Sequence, residues 1–318
     1  MPAFSRAFQL SKGLKIPAVG LGTWKSEPGQ VRQAVKVAIG AGYRHIDCAA
    51  IYGNEVEVGQ GIKDSGIARK DLWVTSKLWN AFHQPEKVAG ALGKTLKDLQ
   101  LDYLDLYLMH WPVAFAEGKT SEGKPNIDWD LTRDVTPTWR EMEKLAEQGK
   151  VKNIGVSNFT IGRVKRLLEV RKADRSSWGA EAKIRPAANQ VELNLHCAQP
   201  ELVKWSQENN VLLESYSPLG STGAPQMDDK VVKEIASAHG ATPAQVLISW
   251  QAARGIVVLP KSVTPERIKS NFEEVELTMD EITRLEKRAV EFGTKRTVDP
   301  SEAWGVPDLW KDVPDAKL

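Results

Sequence analysis

The feature that most restricts the fold of this chain is a regular alternation of short apolar segments with longer amphipathic ones. Seven short segments are apolar on nearly every residue: 43–49, 72–78, 104–111, 151–157, 187–193, 211–216 and 256–260. An eighth, near 274–277, shows the same character weakly. Strands that are apolar on both faces are typical of parallel sheets covered by helices on both sides. The alternation therefore predicts an α/β protein with a parallel sheet.

Between the short segments, apolar residues recur every three or four positions, the spacing that places them on one face of a helix. The helical segments are 30–41, 54–65, 85–99, 138–148, 161–171, 200–209, 228–239 and 243–254. Seven or eight strand–helix units in a chain of this length favour a (β/α)8 TIM barrel over an open doubly wound sheet. Since no segment rich in Pro, Gly or Ser divides the chain, we predict a single domain over residues 1–318.

Additional elements flank the predicted barrel. Two short alternating runs near Phe8 and Ile16, separated by Ser11 to Gly13, predict an N-terminal β-hairpin. Extra helices and a C-terminal loop are expected after the last strand. The longest segments without a regular period, 112–135 and 217–227, follow strand ends. Loops in that position build the active site of a barrel of this kind.

Composition restricts the partners and the cellular compartment that we expect for the protein. Charged residues make up 26% of the 318 residues and the formal net charge is +2, which gives no basis for a nucleic-acid partner. The sequence has no run of about 18 apolar residues and no signal-peptide segment. Cys48 and Cys197 are too few for a disulfide framework. We expect a soluble, cytoplasmic protein without a membrane partner, and we expect a monomer.

Titratable side chains stand at the ends of successive apolar segments. Asp47, Lys77 and His110 end the first three. A buried charge is costly unless it is paired or used, so three such residues in corresponding positions indicate a site. Later segments end in hydroxyl, amide and basic groups: Ser157, Asn158, Asn189, Gln190, Tyr216, Ser217, Lys261 and Ser262. In a barrel these side chains converge at one end.

Some of these residues also have simpler explanations. A strand can end in Asp47 and be followed by a helix-capping Asn54, and a single His110 on an apolar strand is more often a core residue. His45 and Asp47 share one strand face, and His-x-Asp is compatible with a metal-dependent barrel hydrolase. That hypothesis needs further ligands on other strand ends, where we find only His110. We therefore predict no metal site and a structural role for His45.

Six longer motifs follow one another along the chain. They are Gly42-Tyr-Arg-His-Ile-Asp-Cys-Ala with Tyr52, Ser76-Lys-Leu-Trp, Leu101-Asp-Tyr-Leu-Asp-Leu-Tyr-Leu-Met-His-Trp-Pro, Gly155-Val-Ser-Asn-Phe, Ser215-Tyr-Ser-Pro-Leu-Gly, and Leu259-Pro-Lys-Ser-Val-Thr-Pro-Glu-Arg-Ile. In content and order they resemble the aldo-keto reductase superfamily over almost the whole chain. The pattern is similar to that of fungal and yeast reductases of aldehydes, glycerol and related compounds. The resemblance implies an NADPH-dependent carbonyl reductase.

The resemblance implies that Asp47, Tyr52, Lys77 and His110 are catalytic. Tyr52 would donate a proton to the carbonyl oxygen as a hydride arrives from NADPH. A free tyrosine has a pKa of about 10, so we expect the Lys77 ammonium to lower the pKa of Tyr52. Asp47 would offset the cost of burying that ammonium. His110, as a neutral donor, would orient the carbonyl and stabilise negative charge on its oxygen.

The resemblance also implies where NADPH binds. Ser157, Asn158 and Gln190 would bind the nicotinamide carboxamide, which needs donors and acceptors, and Tyr216 would stack on the ring. The other implied cofactor residues are Gly22, Thr23, Trp24, Ser217, Leu219, Lys261, Ser262, Val263, Arg267 and Asn271. Among them Lys261, Ser262 and Arg267 would bind the 2′-phosphate at the start of a helix that begins at Pro265, which favours NADP over NAD.

Two departures from the family pattern affect the cofactor site. Ser270 precedes Asn271 where many relatives have a carboxylate, which removes one expected adenine contact. The segment 217–227 is shorter than the cofactor-clamping loop of mammalian aldose reductases. We expect cofactor to exchange faster as a result. A slow isomerisation after NADPH binding, seen as the rate-limiting step in transient kinetics, would contradict this expectation.

The resemblance places Trp24, Trp79, Trp111 and Trp304 around the substrate, which we expect to be a small-molecule carbonyl compound. Trp304 lies in the C-terminal segment that sets specificity in the family. A second hypothesis is a regulatory NADP-binding subunit with little turnover, like those attached to potassium channels. The chain lacks the added N-terminal segment of such subunits, so we favour the enzyme.

Overall fold

The computed structural model describes residues 1–10, 13–173, 183–221 and 223–312. The strands are β1 (Ala7–Gln9), β2 (Lys15–Pro17), β3 (Leu21–Gly22), β4 (His45–Asp47), β5 (Trp73–Leu78), β6 (Leu104–Met109), β7 (Ala114–Lys119), β8 (Pro125–Asp128), β9 (Val151–Ser157), β10 (Ala188–Glu192), β11 (Leu212–Tyr216) and β12 (Val257–Leu259). The helices are α1 (Val31–Ala41), α2 (Glu55–Ser65), α3 (Pro85–Leu99), α4 (Trp129–Arg133), α5 (Thr136–Glu147), α6 (Ile161–Ala173), α7 (Pro200–Glu208), α8 (Lys230–Ala238), α9 (Pro243–Ala253), α10 (Pro265–Ser270), α11 (Met279–Phe292) and α12 (Ser301–Trp304).

Eight strands form one parallel sheet in the order β3-β4-β5-β6-β9-β10-β11-β12. The two ends of this sheet meet, because the amide of Gly20 donates to the carbonyl of Val258 at 2.9 Å and the amide of Gly22 donates to that of Pro260 at 3.0 Å. A sheet whose first and last strands are joined in this way is a barrel. The predicted (β/α)8 barrel is therefore confirmed.

The predicted eighth strand is wrong, because the strand that completes the barrel is β3 and not the segment 274–277. β3 has only two residues, and the glycine beside Leu21 hides any apolar period. The segment 274–277 instead lies outside the barrel, where the amide of Val275 donates to Ser249 Oγ of α9 at 2.9 Å. It leads into α11, whose N-terminus is closed by a capping box between Thr278 and Glu281. α11 itself lies outside the predicted helical segments.

The N-terminal hairpin is present, with β1 and β2 paired antiparallel. Its predicted turn at Ser11 and Lys12 lies outside the described residues. Leu10 and Ile16 are buried and belong to one apolar cluster with Leu106 and Val257 of the barrel strands. The hairpin therefore packs against one end of the barrel interior, and the end formed by the carboxyl termini of the strands stays open.

The segment 112–135 is more ordered than predicted. It contains the antiparallel pair β7 and β8, followed by α4. The amide of Ala114 donates to Thr132 Oγ1 at 3.0 Å, which joins β7 to α4. Gln84, which precedes α3, donates through Nε2 to the carbonyl of Phe115 at 3.0 Å and so connects the excursion to the barrel helices. In the segment 217–227 the amide of Gly220 donates to the carbonyl of Ser217 at 2.9 Å in a tight turn, and a 3₁₀ helix, Pro225–Asp228, begins near its end. Residue 222 is outside the described part. Among all described residues, no helix combines the length and apolarity that crossing a bilayer requires.

Close packing explains two glycines in the barrel wall. Gly42 ends α1 at φ 111°, and a Cβ there would lie 2.9 Å from the ring of Phe272. Gly59 in α2 faces α3, where a Cβ would lie 2.4 Å from the carbonyl oxygen of Leu99. A side chain at either position would force the backbone elements apart. These contacts fix the helices that hold β4 and β5 in place.

Candidate active site

A cavity of about 910 Å³ opens at the carboxyl ends of the barrel strands. Its wall includes almost every residue that the sequence analysis assigned to a site: Gly22, Thr23, Trp24, Asp47, Tyr52, Trp79, His110, Trp111, Ser157, Asn158, Gln190, Tyr216, Ser217, Leu219, Lys261, Ser262, Arg267, Asn271 and Trp304. Three assigned residues are not part of the wall. Lys77 lies beneath it, and Val263 packs against the apolar core instead. Asn189 is buried in β10, where its Nδ2 donates to the carbonyl of Phe159 at 2.9 Å.

Asp47 and Lys77 form a buried ion pair beneath the cavity. Lys77 is 1% exposed, and its Nζ donates to both carboxylate oxygens of Asp47 at 2.8 Å and to the carbonyl of Cys48 at 2.7 Å. Burial by itself would lower the pKa of Lys77, but the attraction of Asp47 outweighs it and raises that pKa above its usual range. Lys77 is therefore a fixed cation under the cavity floor.

Tyr52 lies above this cation, at the end of the 3₁₀ turn Ala50–Tyr52. Lys77 Nζ is 5.3 Å from the centroid of the Tyr52 ring. Burial raises the pKa of Tyr52 to about 12, while the charge of Lys77 and a hydrogen bond to it act in the opposite direction. The charge of Lys77 lowers the pKa of Tyr52, as predicted, but burial raises that pKa by more. The phenol is therefore protonated at neutral pH, as a proton donor must be.

His110 follows β6 and faces Tyr52, with the two ring centroids 5.9 Å apart. Burial holds the pKa of His110 well below its usual range, and the charges of Lys77 and His83 act in the same direction. The imidazole is thus neutral at physiological pH. Its Nδ1 is buried without a hydrogen-bond partner among the described residues.

The strand ends on the other side of the cavity are joined by side-chain hydrogen bonds. Asn158 sits at φ 63°, a conformation that is uncommon for a non-glycine residue. Its Nδ2 donates to the carbonyl of His110 at 3.0 Å, and the hydroxyl of Tyr216 donates to its Oδ1 at 2.8 Å. Ser157 Oγ donates to the carbonyl of Gln190 at 2.7 Å. The ends of β6, β9, β10 and β11 are therefore held in one fixed arrangement.

The side-chain amide of Gln190 reaches the Asp47–Lys77 ion pair. Its Nε2 donates to Asp47 Oδ1 at 2.8 Å and to Glu214 Oε2 at 2.7 Å. Glu214 is a fully buried residue of β11 that the sequence analysis did not identify. Burial, with a smaller effect of Asp47, raises the pKa of Glu214 to about 7. The sequence analysis could have found Glu214, because it is a single acidic residue in a mainly apolar strand. Lys77 was identified by the same kind of pattern.

We call this polar part of the site the polar half. It comprises seven residues of the wall, with two more behind the wall, Lys77 and Glu214; the seven are Asp47, Tyr52, His110, Ser157, Asn158, Gln190 and Tyr216. The facing part, the aromatic half, comprises Trp79, Trp111 and Trp304. The ring of Trp304 meets those of Trp111 and Trp79 edge-on, with centroids 5.1 and 6.1 Å apart. Phe115 of β7 supports Trp304 from behind at 5.2 Å. The aromatic half gives the space above His110 an apolar wall.

Trp304 is held in place by an acidic residue that the sequence analysis also missed. Glu192, at the end of β10, is completely buried. Its carboxylate accepts hydrogen bonds from the amides of Thr297 and Val298 at 2.9 to 3.0 Å and from the hydroxyl of Thr297. Because these two residues precede α12, the end of a barrel strand fixes the segment that carries Trp304.

Basic side chains lie at the far end of the cavity, on the loop after β12 and on α10. Lys261 and Arg267 are exposed on the wall there, and Lys261 Nζ donates to the carbonyl of Lys25 at 2.8 Å. α10 begins at Pro265, as predicted. Two cations beside hydroxyl and amide groups, in the same cavity as the polar side chains of the strand ends, suit an anionic group.

The structure does not assemble a metal site around His45. Its Nε2 lies 3.2 Å from Thr75 Oγ1, and burial lowers its pKa to about 3. In the described ranges, no three His, Cys, Asp or Glu side chains are grouped as metal ligands. Cys48 and Cys197 are both free and buried.

The fold is shared with solved structures of aldose reductases. The structure of the aldose reductase from Schistosoma japonicum is 36% identical and superposes with a TM-score of 0.86, covering 97% of this chain and 99% of that one. An uncharacterised oxidoreductase of Schizosaccharomyces pombe is 47% identical over 297 residues, 89% of each chain. Aldehyde reductase YPR1 of Saccharomyces cerevisiae is 42% identical over 312 residues, 95% of this chain and 96% of the relative.

The aldo/keto reductase family model matches residues 18–289, which include all eight barrel strands. The chain belongs to the aldo/keto reductase family. The family assigned from the sequence motifs is therefore confirmed, and the protein is an oxidoreductase by family. The roles of single residues and the identity of the cofactor remain predictions.

Proposed function

We propose that this protein reduces aldehydes and ketones to alcohols, reversibly, with NADPH as the hydride donor. When bound, the nicotinamide supplies a hydride to the carbonyl carbon. Tyr52 supplies the proton that the carbonyl oxygen needs. The observation that carries the proposal is the buried Asp47–Lys77 pair directly beneath a protonated Tyr52 at the cavity floor.

The charges in the polar half suit a proton transfer from Tyr52. A phenol with a raised pKa is a poor acid unless the phenolate that it leaves is stabilised. Lys77 is a cation whose position is fixed by Asp47, so it stabilises the phenolate without reorganising. Neutral His110 faces Tyr52 across the cavity and serves as a second hydrogen-bond donor to the carbonyl oxygen.

The cavity also suits NADPH. Its length reaches from the polar half to Lys261 and Arg267, which would hold the 2′-phosphate that distinguishes NADPH from NADH. Gly22 forms part of the wall, where a Cβ would lie 3.2 Å from the carbonyl oxygen of Leu259. Tyr216, fixed through Asn158, would stack on the nicotinamide ring. Val263 does not line the cavity, so we remove it from the proposed cofactor contacts.

The aromatic half favours small carbonyl compounds with an apolar or aromatic group. We further propose that the protein acts in the cytoplasm as a monomer, with its small-molecule substrate and NADPH as its partners. Neither a membrane nor a nucleic acid is needed for this function.

The test is turnover, followed as loss of NADPH absorbance with a panel that includes glyceraldehyde and 4-nitrobenzaldehyde. Replacing Tyr52 with Phe should lower kcat by about 10²- to 10⁴-fold and leave NADPH affinity nearly unchanged. Tyr103→Phe is the matched control, because Tyr103 precedes β6 at the opposite end of the barrel and should behave like the wild type.

Two results would contradict the proposal. Wild-type protein that binds NADPH but never oxidises it with any member of the panel would favour the regulatory, cofactor-binding role. Activity that is lost on treatment with EDTA would favour a metal-dependent enzyme.

A further inference from the structure

We infer that Glu214 is a positioning residue that fixes the side-chain amide of Gln190, so that the Gln190 oxygen faces the nicotinamide carboxamide. The inference rests on the proposed function, since it requires that NADPH occupies the cavity. It concerns a residue behind the cavity wall that touches neither substrate nor cofactor.

The hydrogen bonds of Gln190 leave only one orientation of its amide. An ionised carboxylate can only accept hydrogen bonds, whereas a primary amide has two N–H donors and one acceptor oxygen. Nε2 lies within 2.8 Å of carboxylate oxygens of both Asp47 and Glu214, so both donors are used. In the described part of the chain, no donor reaches Oε1 of Gln190. The oxygen is therefore left as the group that Gln190 offers to a ligand in the cavity.

Asp47 alone would fix this orientation less firmly. Both of its oxygens already accept from Lys77, so the bond from Gln190 adds to a site that is largely satisfied. Glu214 accepts from Gln190 through Oε2, and its Oε1 is buried with no partner among the described residues. Gln190 is thus the only side chain bonded to Glu214 there, and the two residues face each other across adjacent strands β10 and β11.

Stability does not account for a carboxylate at this position. Glu214 is completely buried with one oxygen unpartnered, and a buried ionised group with incomplete hydrogen bonding destabilises the folded state. The neighbouring Leu213 of the same strand packs in an apolar cluster. Glu214 destabilises the folded state, and Gln190 is the side chain to which it is bonded. The role of Gln190 in the cavity wall therefore explains Glu214 best.

The nicotinamide carboxamide carries an N–H₂ group that an oxygen can accept from. If Glu214 is protonated or replaced by Gln, it gains a donor of its own, and Gln190 can then turn its oxygen towards residue 214. The donor side of Gln190 would in that case face the cavity and the N–H₂ group of the nicotinamide. Such a change should weaken binding of the nicotinamide end alone.

The protonation of Glu214 gives this arrangement a pH dependence. The charged groups that face Glu214 across the barrel are Asp47 of β4 and Lys77 of β5, and the group bonded to it is Gln190 of β10. Burial, followed by Asp47, raises the pKa of Glu214 to about 7. The carboxylate form, which fixes Gln190, therefore prevails above neutral pH and is lost as the pH falls.

The experiment compares two ligands by quenching of tryptophan fluorescence. NADP⁺ contains the nicotinamide, whereas 2′-phospho-ADP-ribose is the same molecule without it. In Glu214→Gln at about pH 8.5, well above the pKa of the carboxyl, the affinity for NADP⁺ should fall about tenfold, the worth of one hydrogen bond. The affinity for 2′-phospho-ADP-ribose should change less than about twofold.

A second measurement uses the wild type alone, so the test stands even if the variant does not fold. The ratio of NADP⁺ affinity to 2′-phospho-ADP-ribose affinity should fall several-fold between about pH 8.5 and about pH 6, across the Glu214 titration. Titration of the 2′-phosphate affects both ligands and cancels in this ratio. In Glu214→Gln the ratio should be independent of pH.

Glu143→Gln is the matched control, because Glu143 is a buried carboxylate of α5 outside the barrel, bonded to the amide of Ile184 at 2.8 Å. It should show the wild-type ratio and pH dependence. A Glu214→Gln variant that binds NADP⁺ like the wild type, or a wild-type ratio that does not change with pH, would overturn the inference. If the wild type binds neither ligand and reduces no carbonyl compound, the proposed function itself fails.

Discussion

The polar half and the aromatic half of the cavity wall are built in different ways. Most residues of the polar half lie on barrel strands or directly after them, and hydrogen bonds run from Lys77 through Asp47 and Gln190 to Glu214. The aromatic half stands on connections and on the C-terminal segment, where Trp304 is held by ring contacts and by Glu192. The residues that we propose for the chemistry thus lie mainly on the sheet, and those that we propose for substrate contacts lie on segments that can vary without disturbing the barrel.

The two halves also differ in what they contribute to folding. Burial of the large rings in the aromatic half stabilises the folded state. The polar half contains a buried ion pair and a buried, incompletely bonded carboxylate, which contribute little to stability or oppose it. We therefore expect substitutions in the polar half to change turnover and pH dependence. Substitutions in the aromatic half should change the choice of substrate.

The largest expected effect is that of Lys77→Met. The change removes the cation that stabilises the Tyr52 phenolate and leaves Asp47 buried without its counter-ion, so kcat/KM should fall by about 10²- to 10⁴-fold. Urea unfolding should show a loss of about 3–5 kcal/mol. Lys94→Met, which removes an exposed pair with Asp98, is the control and should cost less than about 0.5 kcal/mol. Activity within tenfold of the wild type would refute the role of Lys77.

Trp304→Ala should lower activity towards a large aromatic substrate much more than towards a small one. Loss of the ring removes apolar contact for an aromatic aldehyde, so its kcat/KM should fall about 10- to 100-fold, whereas that for glyceraldehyde should change less than about threefold. Trp129→Ala is the control, because Trp129 is 44% exposed outside the cavity. An equal loss for both substrates would mean that Trp304 supports the catalytic residues and not the substrate.

Glu192→Gln tests whether the C-terminal segment is held from β10. The amide can accept through only one oxygen, so the hydrogen bonds from Thr297 and Val298 should weaken. KM for aromatic aldehydes should rise several-fold with kcat nearly constant, and limited proteolysis should cut near α12 sooner. Glu201→Gln, on the exposed first turn of α7, should match the wild type. A fall in kcat with unchanged KM would place Glu192 with the polar half.

The last expected effect is that of Glu214 on stability. Its pKa is raised in the folded protein from 4.5 to about 7, so its contribution to stability is present below the lower value and is lost as the pH rises through the higher one. Between about pH 5 and about pH 8 the wild type should therefore lose about 2 kcal/mol relative to Glu214→Gln. The difference between their melting temperatures at the two pH values measures it. A difference that does not change with pH would mean that Glu214 is ionised throughout.

Sequence patterns predicted the barrel well because its strands are apolar on nearly every residue, its helices are apolar only every three or four positions, and the two patterns alternate many times. They failed at β3, where two residues carry no period, and at 112–135, where β7 and β8 pair in a loop excursion. Asp47, Lys77 and His110 were predictable because each is a titratable group after an apolar strand. Glu214 is likewise a titratable group in an apolar strand, but its role depends on its hydrogen bond with Gln190, which lies 24 residues away in the chain.

The sequence by itself determined the alternation that makes a barrel and the polar strand ends that must meet at one end of it, since periodicity and burial are local properties of the chain. Only the tertiary structure decided which strand closes the barrel, which way the amide of Gln190 faces, and that Glu192 holds the segment of Trp304. These depend on hydrogen bonds between residues far apart in the chain, and their geometry is fixed only when the barrel has formed.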